Sequence, residues 1–221
     1  MESNINDAKP ANPDNPEELE KKRKEYHAIL MIEDELEKKL VKNPVSAELW
    51  DAWWSIKRKK ENYLINIIQD EVIFDYINNF IKNGVKTVLL AGNGFSQQPK
   101  MFSYSGFDVT VIDISPYANS YALNCKFHPE RYTSEWVNSS SNKKTIKRLP
   151  KRIGGSLEFI TGDFMNPAIF DNKRFDVIIS FRTLQHYSGD LLEKACLSLV
   201  SSLNPNGFLL IGITGYNGFG G

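Results

Sequence analysis

The chain has 221 residues, 27 Lys+Arg against 27 Asp+Glu, 41% hydrophobic and 24% charged residues. That length can bury the core of one domain plus an extension, and the balanced charge gives no footprint for nucleic acid. Cys125 and Cys196 stand apart, with no CxxC or Cys/His cluster, which argues against a structural zinc site and for no metal at all.

The first residues, "MESNINDAKPANPDNPEELE", lack an apolar signal core, and no apolar run approaches the ~20 residues that span a bilayer. Two isolated cysteines suit a reducing compartment. The expectation is a cytoplasmic protein with no membrane partner. Residues 1–15 read as a disordered tail. Residues 16–84 read as a helical cap, and residues 85–221 as the main α/β domain.

The cap predicts three helices. The first starts at Pro16 with acids in its opening turn, presents Ile29, Ile32, Leu36 and Leu40 on one face, and stops at Asn43-Pro44. Ser46 is placed to cap the second, which carries Trp50, Trp53 and Trp54. Those rings suit either docking of the helix onto the body or a lid over an aromatic substrate. The third runs from about Glu61 to Lys82 and stops at Asn83-Gly84.

Beyond Gly84 the pattern changes to strand-length apolar runs at 87–90, 109–112, 157–160, 177–181 and 208–213. Candidate helices lie between them at 99–105, 116–126 and 191–203. This alternation predicts a doubly wound, mostly parallel sheet covered on both faces. Residues 139–156, "SSSNKKTIKRLPKRIGGS", read as a basic, solvated loop.

The chemistry centres on "VLLAGNGFS", residues 88–96. Gly92 and Gly94 directly follow a strand, where glycine permits a tight turn and close approach of backbone to a ligand. Asp113 ends the next strand, where a carboxylate can accept from a ribose diol. A dinucleotide turn would place a third glycine at position 97, which is Gln97; this argues against an NAD-type oxidoreductase.

Five segments in order resemble the class I, Rossmann-like S-adenosylmethionine (SAM)-dependent methyltransferases: "VLLAGNGFS", "VTVIDIS", "FITGDFMN", "FDVIISFRTLQHY" and "LNPNGFLLIGI". They span residues 86–214 and leave the N-terminal helices outside. The resemblance implies SAM as cofactor. Gly92, Asn93 and Gly94 would face its methionine and ribose, Asp113 would hold the ribose hydroxyls, and Ile114 would pack on the adenine. Asp163 would accept from the adenine amino group with Phe164 beside the ring, and Ser180 would border the cofactor; the plainer role for Asp163 is a turn or cap after its strand.

His186 is the candidate base, or part of a structural turn. Arg182 would bind a substrate carboxylate or pair with a local acid. The segment after the fourth strand lacks the Asn/Asp-Pro-Pro-Tyr motif of adenine and glutamine amide methylation.

Two positions depart from the family pattern. Leu90 stands where many members carry an acid, and Ser96 where the last glycine would be. The chain also ends just after the fifth strand, where relatives add strands six and seven. That leaves an edge for a partner chain or dimer to cover. The expected function is a methyltransferase acting on a small molecule or a protein side chain. The alternative is a non-catalytic SAM-fold scaffolding subunit that needs a partner or the absent C-terminal part.

Overall fold

A computed structural model describes residues 16–59, 67–129, 133–138 and 143–213. The expected N-terminal tail and the start of the third helix at 61–66 fall outside the described residues.

Helix α1 spans Pro16–Lys42 and α2 spans Ala47–Lys59. Pro44 ends the first by disfavouring helical geometry at the residue before it. Ser46 Oγ accepts from Leu49 N at 3.2 Å and so caps the second. The buried seam of α1 runs through Ile29, Glu33, Leu36 and Leu40, while Ile32 is exposed. Glu33 takes the inward place expected of Ile32 because Lys57 of α2 reaches in to pair with it. Lys57 also lies over the Trp53 ring, 4.6 Å from its centroid, and Trp53 Nε1 donates to Glu37 at 3.4 Å. The two helices therefore form a hairpin tied by a buried ion pair and an aromatic face.

Helix α3 (Ile67–Lys82) leads into the sheet, in the chain order β1 (Thr87–Ala91), α4 (Gln98–Tyr104), β2 (Asp108–Asp113) and α5 (Pro116–Asn124). There follow β3 (Thr133–Asn138), β4 (Lys143–Arg148), β5 (Leu157–Thr161), β6 (Phe175–Phe181), α6 (Gly189–Ser201) and β7 (Leu203–Gly212). Five strands form one parallel sheet in the order β5-β2-β1-β6-β7. This is the doubly wound architecture expected from the alternating pattern.

Strand alternation builds two cores. Val88 and Leu90 of β1 face α3 and α4, meeting Ile73, Ile77, Met101 and Phe102. Leu89 and Ala91 face α6, meeting Ala195 and Leu199 with Phe164 and Phe170. Leu90, at 2% exposed, points into this apolar layer, which suits a leucine and not an acid at that position.

At the amino end of the sheet Asp176 fastens three strands. It accepts from the Lys86 and Thr87 amides at 2.8 and 3.0 Å and from Asn204 Nδ2 at 2.7 Å. Burial pushes its carboxyl up, but these hydrogen bonds outweigh it and hold the pKa below the usual value.

Residues 139–156 are not all loop. Residues 143–148 form β4, paired antiparallel with β3 in the register Trp136↔Thr145. Strand β7 starts at Leu203 rather than Phe208, and it is an edge of the described sheet. Phe208 and Ile211 are exposed on it, and Ile213 just beyond it.

Phe102 is fully buried between Phe80 of α3 and Phe107 before β2. Phe102→Ala should cost about 3–5 kcal/mol of stability, measured as a lowered urea midpoint with an unchanged slope.

Candidate functional site

In an open parallel sheet, ligands bind beyond the carboxyl ends of the strands where the strand order reverses. Here that crevice lies between β1 and β6, which are neighbours in the sheet but far apart in sequence. The turn after β1 and the loop after β6 form its two sides.

The β1 turn requires its glycines. Gly92 has φ +72° and Gly94 has φ +54°, the left-handed region that disfavours side chains. A Cβ on Gly92 would run into Thr183 from the β6 loop, whose hydroxyl donates to the Gly92 carbonyl at 3.0 Å. A Cβ on Gly94 would run into the indole of Trp54. Asn93 Nδ2 donates to the carbonyls of Gly94 and Ser96, both at 3.2 Å, and so holds the turn closed.

Asp113, at the end of β2, is 6% exposed. One carboxylate oxygen accepts from Gly94 N at 2.7 Å and the other from Ser115 N at 2.9 Å. Burial pushes its carboxyl up to about 6 from the ordinary 3.8. The Gly94 and Ser115 amides pull the other way, and the nearby Asp51 carboxylate adds to the rise. Desolvation therefore outweighs two hydrogen bonds. Each oxygen keeps a lone pair for another donor. Ile114, next in the chain, is half-buried.

Ser115 organises the following turn. Its hydroxyl accepts from Ala118 N at 3.0 Å, capping α5, and donates to Asp51 Oδ1 of α2. The same Asp51 oxygen accepts from Tyr117 N at 3.2 Å. Asp51 was not among the expected site residues, because a lone acid on an amphipathic helix carries no signal of where the helix docks.

After β5, Asp163 Oδ1 accepts from Met165 N at 2.9 Å, and the Asp163 carbonyl accepts from Asn166 N at 3.0 Å. The side chain is half-buried and does serve as a turn cap, with its second oxygen unused by that bond. Phe164 is 4% exposed and belongs to the α6-side core, edge-on to Tyr187. Ser180 lies fully buried within β6. Asp113 and Asp163 therefore approach the crevice as polar groups, while Phe164 and Ser180 build the layer beneath.

On the β6 side, Arg182 is exposed with φ +59°, and its amide donates to the Gly212 carbonyl at 2.6 Å. His186 donates to the Arg182 backbone carbonyl. Burial nevertheless pushes its pKa below 6.5, so the ring is neutral at pH 7 and keeps one nitrogen as an acceptor. Tyr187, another residue the sequence did not single out, lies near both acids. Burial first, then Asp163 and Asp113, push its hydroxyl well above 10.

Helix α2 covers this crevice. Trp50 meets His186 edge-on with centroids 4.9 Å apart, and Trp54 lies 4.5 Å from Phe95 in the β1 turn. Phe95 in turn packs on Tyr121 at 4.2 Å. Arg58 donates to the Tyr117 hydroxyl at 3.3 Å and lies over the Tyr121 ring. The tryptophans dock α2 onto the body, and the place where they dock is the candidate site. Among the described residues no group of three or more His, Cys, Asp or Glu could hold a metal, and no helix is long and apolar enough to cross a membrane.

No curated protein matches the chain. Solved structures do. The plantazolicin methyltransferase BpumL in complex with SAH matches with TM-score 0.50 and 19% identity, over 82% of this chain and 61% of its own. An S-adenosylmethionine-dependent methyltransferase from Clostridium acetobutylicum ATCC 824 matches with TM-score 0.48 and 18% identity, over 72% and 58%. Magnesium protoporphyrin IX methyltransferase from Synechocystis PCC 6803 with bound SAM matches with TM-score 0.45 and 16% identity, over 65% and 60%. The chain thus spans less than two thirds of the length of these proteins. A family model described as "Methyltransferase domain" matches residues 89–211, more than half of the chain and all five parallel strands in whole or part. The chain belongs to the methyltransferase domain family, with the class I, Rossmann-like fold.

Proposed function

We propose that this protein binds S-adenosylmethionine in the crevice between β1 and β6 and transfers its methyl group to a small molecule or a protein side chain. The observation that carries this reading is the Asp113 carboxylate bonded to the Gly94 amide. The acid at the end of β2 thereby lines up with the glycine turn after β1. Family membership agrees with it.

The residues present suit the cofactor. The left-handed turn at Gly92 and Gly94 carries no Cβ, which close approach of a ligand to its backbone requires. Asp113 has lone pairs left for a ribose diol, Ile114 would flank the adenine, and Asp163 has an oxygen for the adenine amino group. The cofactor supplies an electrophilic methyl on a sulfonium, and the protein's contribution is positioning and exclusion of water. Asn93 fixes the turn through its own carbonyl contacts rather than through the ligand. Phe164 and Ser180 support the site from the core. His186, neutral and with one free acceptor nitrogen, is suited to take a proton from the methyl acceptor. Arg182, exposed at the rim, is suited to a substrate carboxylate.

Calorimetric titration should show micromolar binding of S-adenosylmethionine and S-adenosylhomocysteine and none of NAD. Asp113→Ala should weaken S-adenosylhomocysteine binding by roughly tenfold to a hundredfold, the loss expected from removing a charge-assisted acceptor worth about 1.5–3 kcal/mol. Unchanged affinity would assign the ribose elsewhere.

The pH dependence has a definite sign. A diol needs the ionised Asp113, and the ligand-free carboxyl titrates near 6. Binding below that pH must release a proton, so affinity should fall by up to about tenfold per unit as pH drops from 6 toward 5, and level off above about 7. Asp113→Asn should flatten the profile in the same titration.

A further inference from the structure

Helix α2 touches the turn after β1, the turn before α5 and the loop after β6 at once. Trp54 fills the side of Gly94 where a Cβ would project. Asp51 takes the Tyr117 amide and the Ser115 hydroxyl beside Asp113. Trp50 rests on His186. The close approach that glycine permits at position 94 is thus used by the protein's own indole. The Asp51 carboxylate is close enough to Asp113 to raise its pKa further.

We propose that α2 is a self-supplied plug, with Trp54 and Asp51 occupying the ground that the cofactor's nucleoside and methionine parts need, so that cofactor and helix compete for the same turns. The proposal rests on the cofactor reading above. Two features make the plug releasable. Residues 50–57 of α2 are all half-buried and none belongs to either core cluster, so lifting the hairpin removes one side chain, Val45 of its turn, from the α6-side core. The contacts that hold it are a few polar bonds and ring edges: Asp51 to the α5 turn, Arg58 to Tyr117 and Tyr121, and the two indoles. The buried Glu33–Lys57 pair keeps α1 and α2 together, so the hairpin would leave as a unit. A wall built to line a bound cofactor would leave the Gly94 face open; here an aromatic ring closes it.

The test compares wild type, Trp54→Ala and Arg58→Ala, which removes the tie of α2 to Tyr117 and Tyr121, by S-adenosylhomocysteine calorimetry. Amide hydrogen exchange of the ligand-free proteins over residues 94–96 and 115–118 is measured beside it, and circular dichroism confirms the fold. If α2 is a plug, either variant raises affinity by roughly tenfold, as for a binding-competent state about 10% populated in the wild type, and speeds exchange in both segments. Wild-type tryptophan emission should also shift to the red on ligand binding, as Trp54 leaves Phe95, with the shift reduced in Trp54→Ala. Binding that is unchanged or weaker in both variants overturns the plug and makes α2 a wall of the bound site, with the cofactor reading intact. Absence of binding in every protein, Trp54→Ala included, overturns the cofactor reading and the plug with it.

Discussion

The carboxylate of Asp113 is the joint on which the carboxyl end of the sheet depends. It bonds the turn after β1 through Gly94 N and the turn before α5 through Ser115 N. Without it, two turns of opposite origin would meet with unpaired buried amides, each a cost of about 1–3 kcal/mol. The joint has its own cost. With its pKa raised from 3.8 to about 6, the folded carboxyl favours the proton more than the unfolded chain does. Its contribution to stability is therefore fully present below pH 3.8 and is lost as pH rises through 6, by about 3 kcal/mol at neutrality. A group held at such expense in the ionised form is one that further donors would relieve.

Asp176 at the opposite end shows what a structural carboxylate looks like in the same sheet. It too joins strands, but it accepts from two amides and an asparagine, it is more open, and its pKa is held down rather than up. The contrast separates their roles physically. Asp176 is satisfied by the fold alone, whereas Asp113 is under-solvated by it. Perturbation in that direction, in a crevice at a strand-order reversal, marks a functional group more often than a structural one.

The sequence made the sheet legible because each parallel strand is buried on both faces and so reads as an apolar run. The strand ends were less legible. Strand β7 begins with "LNPNG", where Leu203 pairs with Phe175 and the register then breaks at a bulge with a left-handed Asn206 before resuming at Phe208↔Val177. The β3–β4 ribbon was unreadable because "SSSNKKTIKR" offers no apolar alternation to fix a register. Glu33 and Ile32 exchanged places for a reason periodicity cannot carry, namely a lysine on another helix. The site divided likewise. Gly92, Gly94 and Asp113 stand out in sequence because turns and strand ends have local chemistry, and the fold brings the turn and the acid together. Phe164, expected beside the adenine ring, is packed in the α6-side core. Asp51, Trp54 and Tyr187 reach the crevice only through tertiary docking.

The glycine turn illustrates how one local rule serves two ends. Glycine at position 94 is required by a positive φ, whatever lies beyond it. Once the Cβ is absent, the exposed backbone is a surface that any flat group can approach, and in this fold Trp54 does so. The geometry proposed to admit a nucleoside is the one that admits an indole, and on that proposal the polar groups nearby decide the difference in binding free energy. Asp113 supplies that difference. It repels the Asp51 carboxylate that accompanies the indole and attracts hydroxyl donors that would accompany a ribose. On the proposed competition, the balance between α2 and a ligand over this turn is set by one buried charge rather than by the shape of the glycine turn itself.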